Sequence, residues 1–386
     1  MSRHWFLFGL FTLPFVFWPW ASISYEIPKV WFFNRWVEVL AVLALAENLK
    51  SKNGPDRKLL LLLISFTVVA LLSSVLGANF GKSFWGNYYR GDGLLTLFHL
   101  IAFSILAAIL WRKNWTEGSA LALGTSAVTI SALSILAFLK TSIFGSPDMW
   151  GGIGATFGQP KFLAGFLLVT MPFTAYLAGK KSYWSMGLGV QIIAIFLTKS
   201  LGGIFGAVIF FLLLGYFLKK FSLKPIAALT LLVILGSLVF YFALHSSAVS
   251  KNELGYQSRS EILTRGFQGF LKKPLLGYGW ANFDYAFEAG GGNYNKNVYV
   301  DKAHSHVLEI LSTGGMVGLL IYAGILALVF KNLLPGPNRR LTWRKTLFIS
   351  FLLFLFHSQT NVISLNEELF FWLILGIAAS KKAYFT

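Results

Sequence analysis

The residues best suited to proton transfer fall in one short run, Asp301-Lys-Ala-His304-Ser-His306. It leads straight into an apolar stretch holding Glu309 and Gly314-Gly315-Met-Val-Gly318. An imidazole with an unperturbed pKa near ~6.5 can take a hydroxyl proton at neutral pH. Glycines just below it let another backbone or a ligand approach closely. The same residues also suit an interfacial histidine beside a packing helix, and the run by itself leaves both readings open. A metal site through Asp301, His304 and His306 is the weaker reading, because positions two apart on a helix point to different faces. The chain also has no cysteine to supply a thiolate, an absence that agrees loosely with a site facing an oxidising compartment.

Four smaller groups accompany that run. Gly-Ala-Thr156-Phe-Gly158-Gln159-Pro160-Lys161 precedes an apolar block, with Pro160 suited to a helix start. Trp85-Gly-Asn-Tyr-Tyr-Arg90-Gly-Asp-Gly93 precedes another in the same way. His357, Gln359 and Asn361 lie at the end of a third, where they either line a cavity or bridge to neighbours. Arg35 and Glu38, three apart, can pair on one helix face, a structural role.

The elements that must position these residues are membrane helices. Of the 386 residues 56% are apolar and only 12% charged, about half the charged fraction of a soluble globule. The apolar residues come in blocks long enough to cross a ~30 Å hydrocarbon core, and the ~10-residue alternating segments of a β-barrel are absent. We read an all-α, polytopic membrane helix bundle with twelve spans: 5–23, 30–47, 59–77, 93–111, 118–139, 162–179, 183–200, 201–218, 225–244, 305–330, 346–363 and 368–380. The first is a retained helix and not a cleaved signal, since Phe17-Trp18-Pro19-Trp20 is bulky where a signal peptidase site needs small residues. No soluble domain is expected, so residues 1–386 form one transmembrane domain, with residues 245–304 as a large outer loop inside it.

Loop charge gives this arrangement a direction. With both termini cytoplasmic, nineteen basic residues fall in short inner loops and tails against six in the short outer ones, as the positive-inside tendency requires. The outer cations then stand out: Lys82, Arg90, Lys140, Lys161, Lys199, Arg259, Arg265, Lys272, Lys273, Lys296 and Lys302 share one side, opposed by few acids, among them Asp92, Asp301 and the Glu367–Glu368 pair. A cationic outer cavity would attract an anion such as a lipid-linked diphosphate; attraction to anionic headgroups is the plainer alternative. The outer segments Ala78–Asp92, Lys140–Lys161 and His245–Ala303 are long enough to need a function, and the third, rich in aromatic residues, is expected to fold.

Taken together, these stretches resemble the bacterial O-antigen ligase and polymerase superfamily. His304-Ser305, nine residues, then Gly315-x-x-Gly318 matches its histidine signature, and three further stretches follow in the family's order: Arg90-Gly-Asp-Gly-Leu-Leu-Thr, Thr156-Phe-Gly-Gln-Pro, and Ser258-Arg259 with Pro274-Leu-Leu-Gly277-Tyr-Gly279. The resemblance implies a GT-C-like, metal-independent glycosyltransferase of the inner membrane that needs no cofactor. It would move a glycan from undecaprenyl diphosphate to the hydroxyl of a lipid or glycan acceptor at the periplasmic face. His304 would then be the catalytic histidine and Arg259 a cation on the diphosphate. Arg90, Lys161 and Lys199 would be further phosphate or glycan contacts, with Asp301, His306, Gln159 and His357 orienting groups or cavity lining. Where the family has Ser-Arg-Gly after the seventh helix, this chain reads Lys199-Ser200-Leu201-Gly202, so a lysine would replace a guanidinium's bidentate geometry. A polymerase joining repeat units, or transfer to protein, fits the same class. A transporter fits less well, because paired broken helices at corresponding positions are missing.

Overall fold

The computed structural model describes residues 1–23, 25–48, 55–144, 153–218, 259–292, 299–336 and 338–380. Among these the chain is helical, without a named strand: α1 Ser2–Thr12, α2 Glu26–Asn48, α3 Arg57–Val75, α4 Phe80–Trp85, α5 Leu94–Leu110, α6 Thr116–Phe144, α7 Pro160–Ala178, α8 Trp184–Leu197, α9 Leu201–Phe217, α10 Arg259–Lys272, α11 Phe283–Ala289, α12 His306–Leu333, α13 Trp343–Thr360 and α14 Leu365–Ala378. By length and composition four helical stretches can cross a bilayer: Arg57–Val75, Lys113–Leu139, Pro160–Ala178 and His306–Leu333. The protein is therefore a helical membrane protein. The expected span 225–244 and the first part of the large outer loop lie outside the described residues.

Burial sorts these helices into a centre and a rim. In α7, 83% of the apolar window is inside the protein, against 33–39% in the other three stretches. Phe166 and Phe173 of α7 meet Phe370 of α14, and Phe173 also meets Trp343 of α13. Leu61, Leu72, Leu136 and Leu320 on the rim are instead exposed, which suits contact with lipid chains and not with water. Pro172 sits inside α7 without ending it. Neighbouring helices make that tolerable in a membrane bundle.

Three departures from the sequence expectation bear on the fold and the site. The first helix stops at Thr12 and passes through a single 3₁₀ turn, Leu13–Phe15, into irregular chain. Pro14 and Pro19 explain this, because proline removes a helix donor and restricts the residue before it. The segment Ala78–Asp92 contains α4, which Asn79 caps by accepting from Lys82 N at 3.0 Å. The last helix begins at Leu365, three residues earlier than expected, with the Ser364 hydroxyl accepting from Glu367 N. Glu367 and Glu368 therefore stand in its first turn and not in a solvated loop.

Long α12 is broken at Gly315, whose φ of 67° and ψ of −170° are not helical. A break at that depth frees backbone groups that water cannot satisfy. The turn Pro274–Gly279 supplies their partners. Tyr278 N and Gly279 N donate to Ser312 O and Thr313 O at 2.9 Å each, and Met316 N and Val317 N donate to Pro274 O and Leu275 O at 2.8 and 3.3 Å. A Cβ on Gly315 would meet Leu275 O at 2.1 Å, and one on Gly277 (φ 69°) would meet Ser312 O at 2.5 Å, so both positions require glycine. The same segment is tied to both ends of residues 78–92: Ala78 N donates to Tyr278 O, the Trp280 indole to Asp92 O at 3.0 Å, and the Asn282 amide to Asn79 O at 3.1 Å. These bonds hold the chain on both sides of residues 299–305 in fixed places.

Candidate functional site around His304

His304 occupies the left-handed region at φ 56°, an uncommon place for a residue with a side chain. Such strain persists only where the surroundings over-determine it, and it clusters at functional sites. The surroundings here are a set of charged anchors. Asp301 accepts from Arg90 Nε at 2.5 Å. Lys302 pairs with Asp92 and, at 3.2 Å, with Glu309. The other oxygen of Glu309 accepts from Ala303 N at 2.8 Å. On the far side Ser305 caps α12 by accepting from Leu308 N and donates to Gln359 Oε1 at 2.9 Å. Every residue flanking His304 is thus fixed, and the glutamate that does most of this sits in the first turn of α12.

Burial works against charge throughout this group, and the pairing overcomes it. Burial alone would lower the Arg90 pKa, yet Asp301 holds it above its ordinary value. Burial would raise that of Asp92, yet Lys302 holds it low. Lys302, equally buried, is held high by Asp92 and Glu309. The guanidinium of Arg90 also lies over the Phe162 ring at 5.4 Å. Arg90 and Asp301 are engaged with each other, and the His304 Nδ1 atom is buried without a hydrogen-bond partner.

The other two cations near His304 are arranged differently. Arg259, at the start of α10, and Lys161, in the first turn of α7, both have exposed side chains. No carboxylate pairs with either among the described residues. Arg259 donates to the neutral Asn361 Oδ1 at 3.2 Å. Burial, with Arg259 and Lys161 next in size, pulls the His304 pKa down to about 4, while Asp301 pulls weakly the other way. The imidazole is therefore uncharged at neutral pH. Unmatched cations around a neutral base form a site that favours an incoming anion.

The remaining sequence candidates are more dispersed. Gln159 is the N-cap residue of α7, with no capping bond from its side chain. Lys199 is exposed at φ 54° in the α8–α9 turn, and no hydrogen bond or ion pair joins it to the His304 cluster among the described residues. The His306 ring packs on Tyr322, centroids 5.3 Å apart. His357 is fully buried and bonded to Glu367, so it bridges α13 to α14, while Asn361 both bridges and lines a cavity. That cavity, about 820 Å³ including its open mouth, is bordered by His304, His306, Glu309, Trp280, Asn361 and Glu368. Among the described residues no group of three or more His, Asp or Glu side chains is placed to hold a metal ion. Asp92, Lys302 and Glu367 stand in the sequence only as outer charges; the Lys302–Asp92 pair joins positions about 210 residues apart and leaves no local signal.

No curated protein sequence matches the chain. Residues 186–323, which run from α8 through Arg259 and His304 to the middle of α12, match the family model described as O-antigen ligase. That stretch, with the strained His304 inside it, is similar to the O-antigen ligase family.

Proposed function

We propose that this protein is an O-antigen ligase-type glycosyltransferase that moves a glycan from undecaprenyl diphosphate to an acceptor hydroxyl at the outer face of the bacterial inner membrane. Support comes from one arrangement above all: a neutral, strained His304 beside two cations that no carboxylate among the described residues neutralises. In the proposed step His304 takes the acceptor hydroxyl proton as that oxygen attacks the anomeric carbon. The bond from that carbon to the bridging phosphate oxygen breaks, and the diphosphate departs with the electron pair. Arg259 and Lys161 face the charge that develops on the leaving group, where fixed cations stabilise a transition state most. A single displacement of this kind inverts the anomeric configuration.

The low pKa of His304 gives the site an order of events. With the diphosphate absent, Arg259 and Lys161 oppose protonation of the imidazole. A bound diphosphate would offset their charge and make the imidazole a stronger base. The base is then strengthened when the donor is in place.

The proposal includes the twelve-span topology with both termini cytoplasmic, which puts His304 outside. A reporter fused after residue 300 should give a periplasmic signal, and a cytoplasmic one would overturn it. For the chemistry, the His304→Ala protein reconstituted with an undecaprenyl-diphosphate glycan should lose ~10²–10⁴-fold in transfer rate, the range for a positioned general base. Transfer at the parent rate would contradict the role assigned to His304.

A further inference from the structure

Behind Arg259 lies a chain of buried polar groups that the transfer reaction does not use. Glu367 Oε1 lies 2.7 Å from His357 Nδ1, His357 Nε2 lies 3.1 Å from Asn361 Nδ2, and Asn361 Oδ1 accepts from Arg259 at 3.2 Å. Glu367 and His357 are both 0% exposed, in the interior of a membrane protein where such groups are costly. Neighbouring helices leave room for them. A Cβ on Gly165 of α7 would sit 2.3 Å from Glu367 Oε2 and 2.6 Å from His357 Cε1. A Cβ on Gly202 of α9 would sit 2.3 Å from Asn361 Nδ2. Four elements, α7, α9, α13 and α14, thus surround a line of polar atoms that ends on the first residue of α10.

The line has one consistent proton arrangement. A guanidinium can only donate, so the Asn361 oxygen must face Arg259. The Asn361 amide nitrogen then faces His357 Nε2, which must be the unprotonated ring atom. His357 Nδ1 therefore carries the proton and donates it to Glu367. Each group fixes the orientation of the next, from a carboxylate to an exposed cation.

We infer that Glu367, His357 and Asn361 are positioning residues that hold the Arg259 guanidinium where it meets the donor diphosphate; this rests on the role proposed above for Arg259. Glu367 and His357 act only through Asn361 and Arg259. A histidine and a carboxylate with a purely structural purpose would be replaceable by apolar side chains at little cost. Supporting partners of a ligand-binding group, by contrast, lose on the order of 10–100-fold in affinity when removed, as outer-shell partners of metal ligands do.

The test uses the full-length protein in nanodiscs and undecaprenyl diphosphate as probe, with its Kd measured by native mass spectrometry. His357→Leu should weaken binding by roughly tenfold. His357→Gln should stay within about twofold of the parent, because its amide N–H can still donate to Glu367 and its oxygen can accept from Asn361. In an Arg259→Ala background, His357→Leu should cause no further loss. Equal losses in both backgrounds, or no loss in either, would overturn the relay. If His357→Leu does not give a monodisperse protein, Asn361→Ala is measured in the same two backgrounds with the same expectation. An Arg259→Ala protein that binds as tightly as the parent would remove Arg259 from the donor site, and the relay with it. Arg259-dependent binding that is indifferent to His357 would remove the relay alone.

Discussion

Two groups of charge meet at His304, and they treat the same residue types in opposite ways. On one side Arg90 and Lys302 are matched by Asp301, Asp92 and Glu309, part-buried and at ion-pair distance. On the other, Arg259 and Lys161 are exposed, and no carboxylate among the described residues answers them. The matched group spends its charge on holding a loop in an unfavourable backbone conformation. The unmatched group keeps its charge available, as the proposed donor site requires. An arginine's surroundings in this protein thus differ with its company and not with its type, and the cations expected on the outer side do not form one uniform surface.

That contrast can be broken most forcefully from the matched side. Arg90→Ala leaves Asp301 part-buried without its cation, and should cost roughly 3 kcal/mol, the lower end for breaking a buried pair given the partial exposure here. A marked fall in the thermal unfolding midpoint in detergent would show it, together with lost transfer as the His304 loop loosens. A midpoint equal to the parent's would mean that Arg90 is not a scaffold residue. Next in size, Gly315→Ala forces a side chain into the left-handed region and against Leu275 O, at a cost of about 2 kcal/mol. Its midpoint should fall without a change in the donor KM of the protein that survives. Smallest is Arg259→Ala, expected to raise the donor KM by about tenfold while leaving the unfolding midpoint where it was. If Arg259→Ala proved the destabilising change and Arg90→Ala the change in KM, the two groups would have to exchange roles.

Much of the frame was legible before any coordinates, because hydrocarbon imposes a length and a composition on each crossing. The helices α2, α3, α5 to α9 and α12 to α14 fall within a few residues of the expected segments, and four helical stretches are long and apolar enough to cross a bilayer. Local rules also explain the main failure, since Pro14 and Pro19 interrupt an otherwise apolar first block. The motifs were legible as separate signs and not as one device. Pro274–Gly279 reads as a turn and Gly314–Gly318 as a place for close approach, but that the first fills the break in the second is a pairing across some forty residues. The left-handed backbone of His304 had no signal, because nothing in a histidine's surroundings in sequence marks a positive φ. The Glu367–His357–Asn361–Arg259 line was hidden in the same way. His357 and Asn361 offered bridging or cavity lining as open alternatives, and Glu367 passed for a loop acid until a helix starting at Leu365 drew it inside.

The most direct measurement is the titration of the His304 imidazole by NMR, in ¹⁵N-histidine-labelled protein with the His304→Ala spectrum as assignment control. Without ligand it should titrate near pH 4, as burial and the two cations dictate. With saturating undecaprenyl diphosphate the midpoint should move upward, because the donor's charge then offsets Arg259 and Lys161. A midpoint that stays put when the diphosphate binds would contradict the claim that the unmatched cations and the strained histidine form a single donor site.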